Sequence, residues 1–506
     1  CVYILRSMES ESSSSDESHD DFIYSPNYDC DYEYGFKNRT LDRISSLPDT
    51  TLLHILSFLP TKDAIRTSAL SQKWQFLWTL VPTIHFYDPK LSGNGDIHSF
   101  VNFIDQTLIL HNAPKIPKFR LDFDYDAIFK SSLNLWLRFA VRREVEELDL
   151  DLLGAKAIEE LNGKPYKLPI NLCMCSTVTK LSLRYCRFTD RNRTISWKSI
   201  KSLSLGYIQL SDGLIREILL GSPMLEVLEL RECSGLNRLD ISSDKLHRLG
   251  IYGYGDFCKS NSDLVISAPK LRSLGIYGSF RRKCRLVNVR SIDDATLNFK
   301  LLDCHGDWDN SYQGYCKFME ELLLSLIRVN NLTLATWCIQ VSSIREVVVK
   351  DSPILLVKCL ILDMCFDKWD LPGIKHLLRK SILLEKLVLE MRSPSTSQFS
   401  FNKKFIDSYN FDGENYWTSQ KLVFPCLRDR LKTVKVTGFT GGQHEIGFIQ
   451  FILKNALVLE KMVICTKRLE HCKRMKHSKA KELLEVVQKM LSFRRASASA
   501  AILFSW

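Results

Sequence analysis

Two hydrophobic rhythms divide this chain. Between Asp42 and Asp88 apolar residues recur at three- and four-residue intervals, whereas beyond about residue 100 they alternate in short bursts. In the first stretch Leu52, Ile55, Leu56 and Leu59 share one stripe of a helix. The pattern predicts a helix that starts after Ser46, whose hydroxyl would cap free N–H groups, with Pro48 and Asp49 in its first turn and Pro60 ending it. Thr61 is placed to cap a short second helix through Ala64, Ile65 and Ala69, and Ser71 a third that carries Trp74, Leu77 and Trp78. Helices this short cannot bury all that apolar surface among themselves, so they need a neighbour.

The second rhythm is a recurring phrase, hydrophobic-x-x-Leu-x-Leu or Ile. It reads Val145 to Leu150, Val178 to Leu183, Ile200 to Leu205, Leu225 to Leu230, Leu246 to Ile251 and Leu271 to Ile276. From Leu181 through Leu203, Leu228 and Leu249 to Leu274 the steps are 22, 25, 21 and 25 residues, the period of a leucine-rich repeat. Later copies, at Leu297, Leu332, Leu360 and Leu387, are more widely spaced. Within each phrase the period of two puts the leucines on one face of a strand. Helix patterns lie between phrases, as from Asp212 to Leu220 before Gly221 and Pro223, and after Pro372 with Ile374, Leu377 and Leu378 on one face. One repeat cannot bury its own leucines, so the array is expected to stack into a solenoid with parallel strands on the concave side and helices and turns on the convex side. A doubly wound α/β domain is the competing reading.

The segment Ile44 to Phe86, with Leu47-Pro48, the run Ile55 to Ala64 and the run Ser71 to Trp78, resembles a plant F-box in order, spacing and residue type. It departs at Gln72, where such sequences more often carry a second basic residue. The resemblance implies docking on an SKP-type adaptor and, through it, on a cullin ubiquitin ligase. It also implies an adaptor-binding set of Leu47, Pro48, Leu52, Ile55, Leu56, Leu59, Trp74 and Trp78, which the sequence does not divide between adaptor side and repeat side. On that reading Leu56→Asp abolishes adaptor capture. A three-helix cap sealing the repeats is the alternative.

Between Arg392 and Lys421 the rhythm lapses into Ser393-Pro394-Ser395-Thr396-Ser397 and a polar, aromatic run from Asp407 to Gln420, which reads as a loop or insertion. Beyond it, Leu431 to Val436, an apolar helix from about His444, Leu459 to Ile464 and Arg494 to Ser499 make a strand, helix, strand, helix order. This resembles the FBD domain of plant F-box proteins, although Arg494 stands where that pattern more often has Pro. The fold class expected is therefore α/β: a tail over 1–41, a three-helix F-box over 42–88, a leucine-rich-repeat solenoid over 100–391, a polar insertion over 392–421 and an FBD unit over 422–506 that continues the solenoid.

Composition narrows this further. The chain has 506 residues, 45% of them hydrophobic and 25% charged, with no apolar run near the roughly 18 to 20 residues of a membrane helix. Glu9 to Glu33 holds nine acidic residues, no Lys or Arg, and the serines Ser12 to Ser15, the composition of a disordered tail. The opening Cys1 points to a partial reading frame with Met8 as a start. Sixteen scattered cysteines without a Cys-x-x-Cys pair favour reduced thiols, and so the nucleus or cytoplasm; the sequons at Asn38, Asn192 and Asn331 then carry no meaning.

Motifs for catalysis are missing: no Gly-x-Ser-x-Gly, no phosphate-binding loop ending in Lys-Ser/Thr, no His-Glu-x-x-His. His471, Cys472 and His477 sit among Lys473, Arg474 and Lys476, which would repel a cation, so neither metal nor cofactor is expected. The net charge of +11 raises nucleic-acid binding by a repeat scaffold with a vestigial F-box as the second reading, but the basic run Lys467 to Lys481 reads as a solvated face. If the repeat leucines point inward, Lys180, Arg184, Glu229, Arg231, Arg248, Tyr252 and Tyr277 point out. Tyr252 and Tyr277 occupy equivalent places in two copies of Leu-Gly-Ile-Tyr-Gly and should lie about 5 Å apart, with Gly250 and Gly275 leaving bare surface beside them. Arg184, Arg231, Arg248, Tyr252 and Tyr277 are the candidate target contacts. The expected function is a non-catalytic adaptor that joins a target protein to the ligase.

Overall fold

Leucine columns organise the molecule. A computed structural model describes residues 42–87, 96–154, 164–188, 195–254, 263–301, 308–348, 353–392, 403–420, 424–466 and 475–505. The acidic tail, the serine-proline run after Arg392 and the basic stretch 467–474 with its His471 and Cys472 lie outside the described residues. The chain divides into two compact units, Cys1–Ile200 and Lys201–Trp506.

The described part of the first unit opens with the helices Asp49–Leu56 and Thr61–Arg66 and the short 3-10 helices Thr67–Ala69, Gln72–Trp74 and Leu77–Leu80. The predicted third helix is thus broken in two. The predicted caps also differ. Pro48 and Pro60 occupy the cap positions without side-chain hydrogen bonds, the Ser46 hydroxyl donates to the Arg43 carbonyl, and the Thr61 hydroxyl accepts from the His85 N–H. Proline in these places fixes φ where no side-chain cap is present.

The described strands that follow in this unit are β1 (Thr83–Phe86), β2 (Lys118–Asp122), β3 (Glu147–Asp151), β4 (Tyr166–Lys167), β5 (Lys180–Arg184) and β6 (Cys186–Arg187). β1, β2, β3 and β5 form a parallel ladder, so the ladder begins inside the F-box-like stretch, ahead of the start expected at residue 100. Register aligns Ile84, Phe119, Leu148 and Leu181 in one column and Phe86, Leu121, Leu150 and Leu183 in the next, all buried. Helices Ile97–Leu110, capped by Asp96, and Lys130–Arg142 cover that face, and Trp136 Nε1 donates to Asp105 between them at 2.6 Å.

His111, just after the first of these helices, is buried with its Nε2 3.1 Å from the Val81 carbonyl. Its Nδ1 has no partner among the described residues. Burial, reinforced by Arg143, lowers its pKa from the ordinary 6.5 to about 4. Above that ordinary value neither state of the chain holds the proton; as pH falls through it, the unfolded chain binds a proton that the folded chain refuses, and stability drops. Between pH 7 and 4.5 this group should cost about 2 kcal/mol. His111→Gln, which keeps a donor for Val81, should lose correspondingly less stability over the same interval in urea titrations.

The second unit carries β7 (Ser202–Gly206), β8 (Val227–Arg231), β9 (Arg238–Asp240), β10 (Arg248–Tyr254), β11 (Leu264–Ser267), β12 (Ser273–Phe280), β13 (Cys284–Val287), β14 (Asp294–Leu301), β15 (Asn331–Ala335), β16 (Cys359–Met364), β17 (Lys386–Met391), β18 (Thr433–Phe439), β19 (Lys461–Thr466) and β20 (Ala501–Ser505). Its main ladder is parallel throughout, in the order β7, β8, β10, β12, then β14 to β20. Leu203, Leu228, Leu249 and Leu274 are in register. The next member of that column is Ala295, while Leu297 aligns with Ile276. Both face inward, so a period of two cannot separate them.

The return paths hold a second correction. The predicted helix at Asp212–Gly221 forms, capped by Ser211, as does Leu371–Lys380 with Pro372 in its first turn. Between β8 and β14, however, the covered side is built by a second parallel sheet, β9, β11 and β13, in place of helices. No described helix is long and apolar enough to cross a membrane.

The described part of the polar insertion is not a free loop. It contains the helix Lys403–Tyr409, and Phe411 meets Trp369 at 5.2 Å. Trp417 is buried against Phe448 and Phe451, each 5.0 Å away, on the helix Gln443–Asn455. Phe411, Tyr416 and Trp417, set among polar residues, are enough to dock the segment, and composition averages hide them. The ladder then runs on through β18, β19 and β20 to Ser505.

Candidate functional site

Two surfaces can act chemically, one in each unit. In the first, the helix Asp49–Leu56 and the turns behind it present two apolar faces. Leu52 and Leu56 are buried, as are Trp74 and Trp78 at 3% and 2% exposure. Trp74 Nε1 donates to Ser45 Oγ, and Lys73 Nζ donates to the carbonyls of Ser45 and Leu47, tying the second half of the module to its start. These four apolar residues therefore hold the module together and present no surface to a partner. The other predicted members divide differently: Leu47 is half-buried, Pro48 is exposed, and Ile55 and Leu59 are 41% and 37% exposed. Beside them on the helix end, Phe58 is 75% exposed, and Phe76 is 62% exposed on the following turns.

Phe58 and Phe76 were not singled out from sequence. The signal was there, since Ile55, Phe58 and Leu59 follow an i, i+3, i+4 pattern that competes with Leu52 and Leu56 for the inside. Large apolar side chains held outward on a well-packed module mark a protein-binding face.

The second surface is the open face of the ladder in the second unit. Register places Arg231, Tyr252 and Tyr277 in one row. The tyrosine rings stack 4.6 Å apart with 12° between their planes, near the predicted spacing. The Arg231 guanidinium lies 3.8 Å from the centre of the Tyr252 ring on its other side, and Glu229 accepts from Arg231 at 2.7 Å and from the Tyr252 hydroxyl at 3.4 Å. Burial and the Glu229 charge push the Tyr252 phenol above its usual pKa. Arg248 is exposed two rows away, beyond the row of Glu229, Gly250 and Gly275.

Gly250 and Gly275 do not leave bare surface. Each ring folds back over the glycine two residues before it: a Cβ on Gly250 would stand 2.8 Å from Tyr252 Cε2, and one on Gly275 would stand 2.3 Å from Tyr277 Cε2. The glycines let the rings lie down and stack. Gly275→Ala should swing the Tyr277 ring outward, reduce near-ultraviolet tyrosine dichroism and cost about 1 kcal/mol of stability.

Arg184 lies in the first unit, where its guanidinium pairs with Asp151 on the neighbouring strand. Around it Lys118 pairs with Glu147 at 3.3 Å and Arg120 with Asp149 at 3.5 Å across neighbouring strands. Basic residues on this face are matched by acids, an arrangement poorly suited to phosphates. Burial pushes the thiols of Cys233, Cys284 and Cys338 up to about 12, which leaves them protonated at neutral pH.

Comparison with known proteins agrees with this layout. Residues 44–85 match the F-box domain, and residues 107–502 match the family described as At1g61320/AtMIF1, LRR domain. The F-box/LRR-repeat protein At5g02910 of Arabidopsis thaliana is 32% identical over 438 residues, covering 84% of this chain and 88% of that protein. From the same organism, the F-box/FBD/LRR-repeat protein At5g56420 is 28% identical over 434 residues, covering 84% and 92%, and the F-box/FBD/LRR-repeat protein At4g00160 is 33% identical over 217 residues, covering 40% and 47%.

Proposed function

This chain belongs to the F-box/leucine-rich-repeat family, and from that premise we propose that it is the substrate-recognition subunit of an SKP–cullin–F-box ubiquitin ligase, acting in the nucleus or cytoplasm. The observation that carries the reading is the outward apolar set Ile55, Phe58, Leu59 and Phe76 on the F-box module, held by a separate buried set. The outward set meets an SKP-type adaptor, which connects to a cullin, and the open face of the repeats holds a target protein. The chain makes and breaks no bonds. Its contribution is proximity: a target held beside a ubiquitin-charged enzyme reacts at a high effective concentration.

Affinity capture of the tagged full chain from plant cells tests this. A cullin and an SKP-type adaptor should be recovered together in amounts comparable to the bait. Recovery of RNA without either, with binding that falls steeply as salt rises, would replace this reading by a nucleic-acid-binding scaffold.

A further inference from the structure

We infer that the Arg231–Tyr252–Tyr277 row is a receptor for an arginine side chain of the target, bound on the outer end of the stack at Tyr277. The inference rests on the adaptor reading, because it names what the repeat face would hold.

The row is built with two unlike ends. At one end Arg231 covers Tyr252, and Glu229 fixes both by accepting from the guanidinium and the phenol. At the other end Tyr277 gives one ring face to Tyr252, and among the described residues no second ring or cation stacks on it. Tyr277 is half-buried, and the next strand offers Thr296 and Asn298, small polar side chains in register with Gly275 and Tyr277. A planar group laid on Tyr277 would therefore meet a tyrosine face on one side and hydroxyl and amide oxygens nearby.

Charge selects among planar groups. A tyrosine face carries negative quadrupole density and attracts a cation, with guanidinium preferred because it also stacks. The row already demonstrates this preference, since its other end is occupied by this chain's own guanidinium at stacking distance. An acidic side chain would be repelled by the ring face and would find Arg231 engaged by Glu229. An arginine would add donors that can reach the Asn298 and Thr296 oxygens. The stacked pair is rigid before binding, held by the glycines beneath it, so little ordering is needed on contact.

The test is selection of a random peptide display library on the immobilised full chain, with the same selection on Tyr277→Leu and Tyr277→Phe. Melting curves for all three establish that they are folded. Wild type and Tyr277→Phe should enrich arginine at one position, and synthetic peptides from that pool should bind Tyr277→Leu about tenfold more weakly, whereas lysine replacement of the arginine should weaken binding to wild type by several-fold. Equal binding of the arginine peptides to Tyr277→Leu overturns the inference, as does enrichment of acidic or arginine-free peptides. Capture of the SKP-type adaptor by the same preparations is measured in parallel. If the adaptor binds and arginine is not selected, this inference falls and the ligase reading stands; if the adaptor does not bind, the ligase reading falls.

Discussion

Replacing Phe58 and Leu59 together by aspartate should abolish capture of an SKP-type adaptor and leave the folded chain intact. Phe58 is 75% exposed and meets the His54 ring edge-on, and Leu59 is partly exposed, so their loss removes far less packing from the module than loss of the buried Leu52 or Leu56. In a complex each would contribute about 1.5 to 3 kcal/mol by burial, and a carboxylate left unpaired in its place adds a further penalty. The sum is at least roughly a hundredfold in affinity. Leu56→Asp, which the sequence pattern offers as the obvious variant, is not equivalent. Leu56 is buried, and a charge there should unfold the module and lose binding for an unrelated reason. Unchanged melting with lost capture in the double variant, against lowered melting in Leu56→Asp, separates the two sets.

Trp417→Ala should be the most damaging single truncation in the insertion. Its indole is enclosed by Phe448, Phe451 and Tyr416, and removing a buried tryptophan costs about 3 to 5 kcal/mol. Chemical unfolding and limited proteolysis within 403–420 should both register it. Trp417→Phe should keep most of the stability, because the indole N–H has no partner among the described residues to lose. A polar loop lying free in solvent would instead respond to Trp417→Ala by less than about 0.5 kcal/mol.

These two cases show what the hydrophobic pattern could and could not specify. The leucine columns were legible because a strand has one strict period, and each of Leu181, Leu203, Leu228, Leu249 and Leu274 proves buried. The F-box helix was legible as a helix but not as a surface. Leu52, Ile55, Leu56 and Leu59 form one stripe wider than the buried seam, and only tertiary packing decides which pair goes inside. The sheet of β9, β11 and β13 was missed because its strands of three or four residues carry too few alternations to register. The expected caps at Ser46 and Thr61 failed because Pro48 and Pro60 take the cap positions, whereas Ser71 does stand at the cap of Gln72–Trp74 but its hydroxyl makes no capping hydrogen bond. The tyrosine row was legible from the repeated Leu-Gly-Ile-Tyr-Gly, but the role of its glycines was not, since sequence gives the register and not the direction in which a ring folds.

The most direct measurement is calorimetric titration of a purified SKP-type adaptor into the full chain, with Phe58→Asp/Leu59→Asp as the matched control. A substrate adaptor should bind one SKP-type molecule per chain with saturable heat that disappears in the folded double variant. No saturable heat with the folded wild-type chain, or equal heat with the double variant, would contradict it.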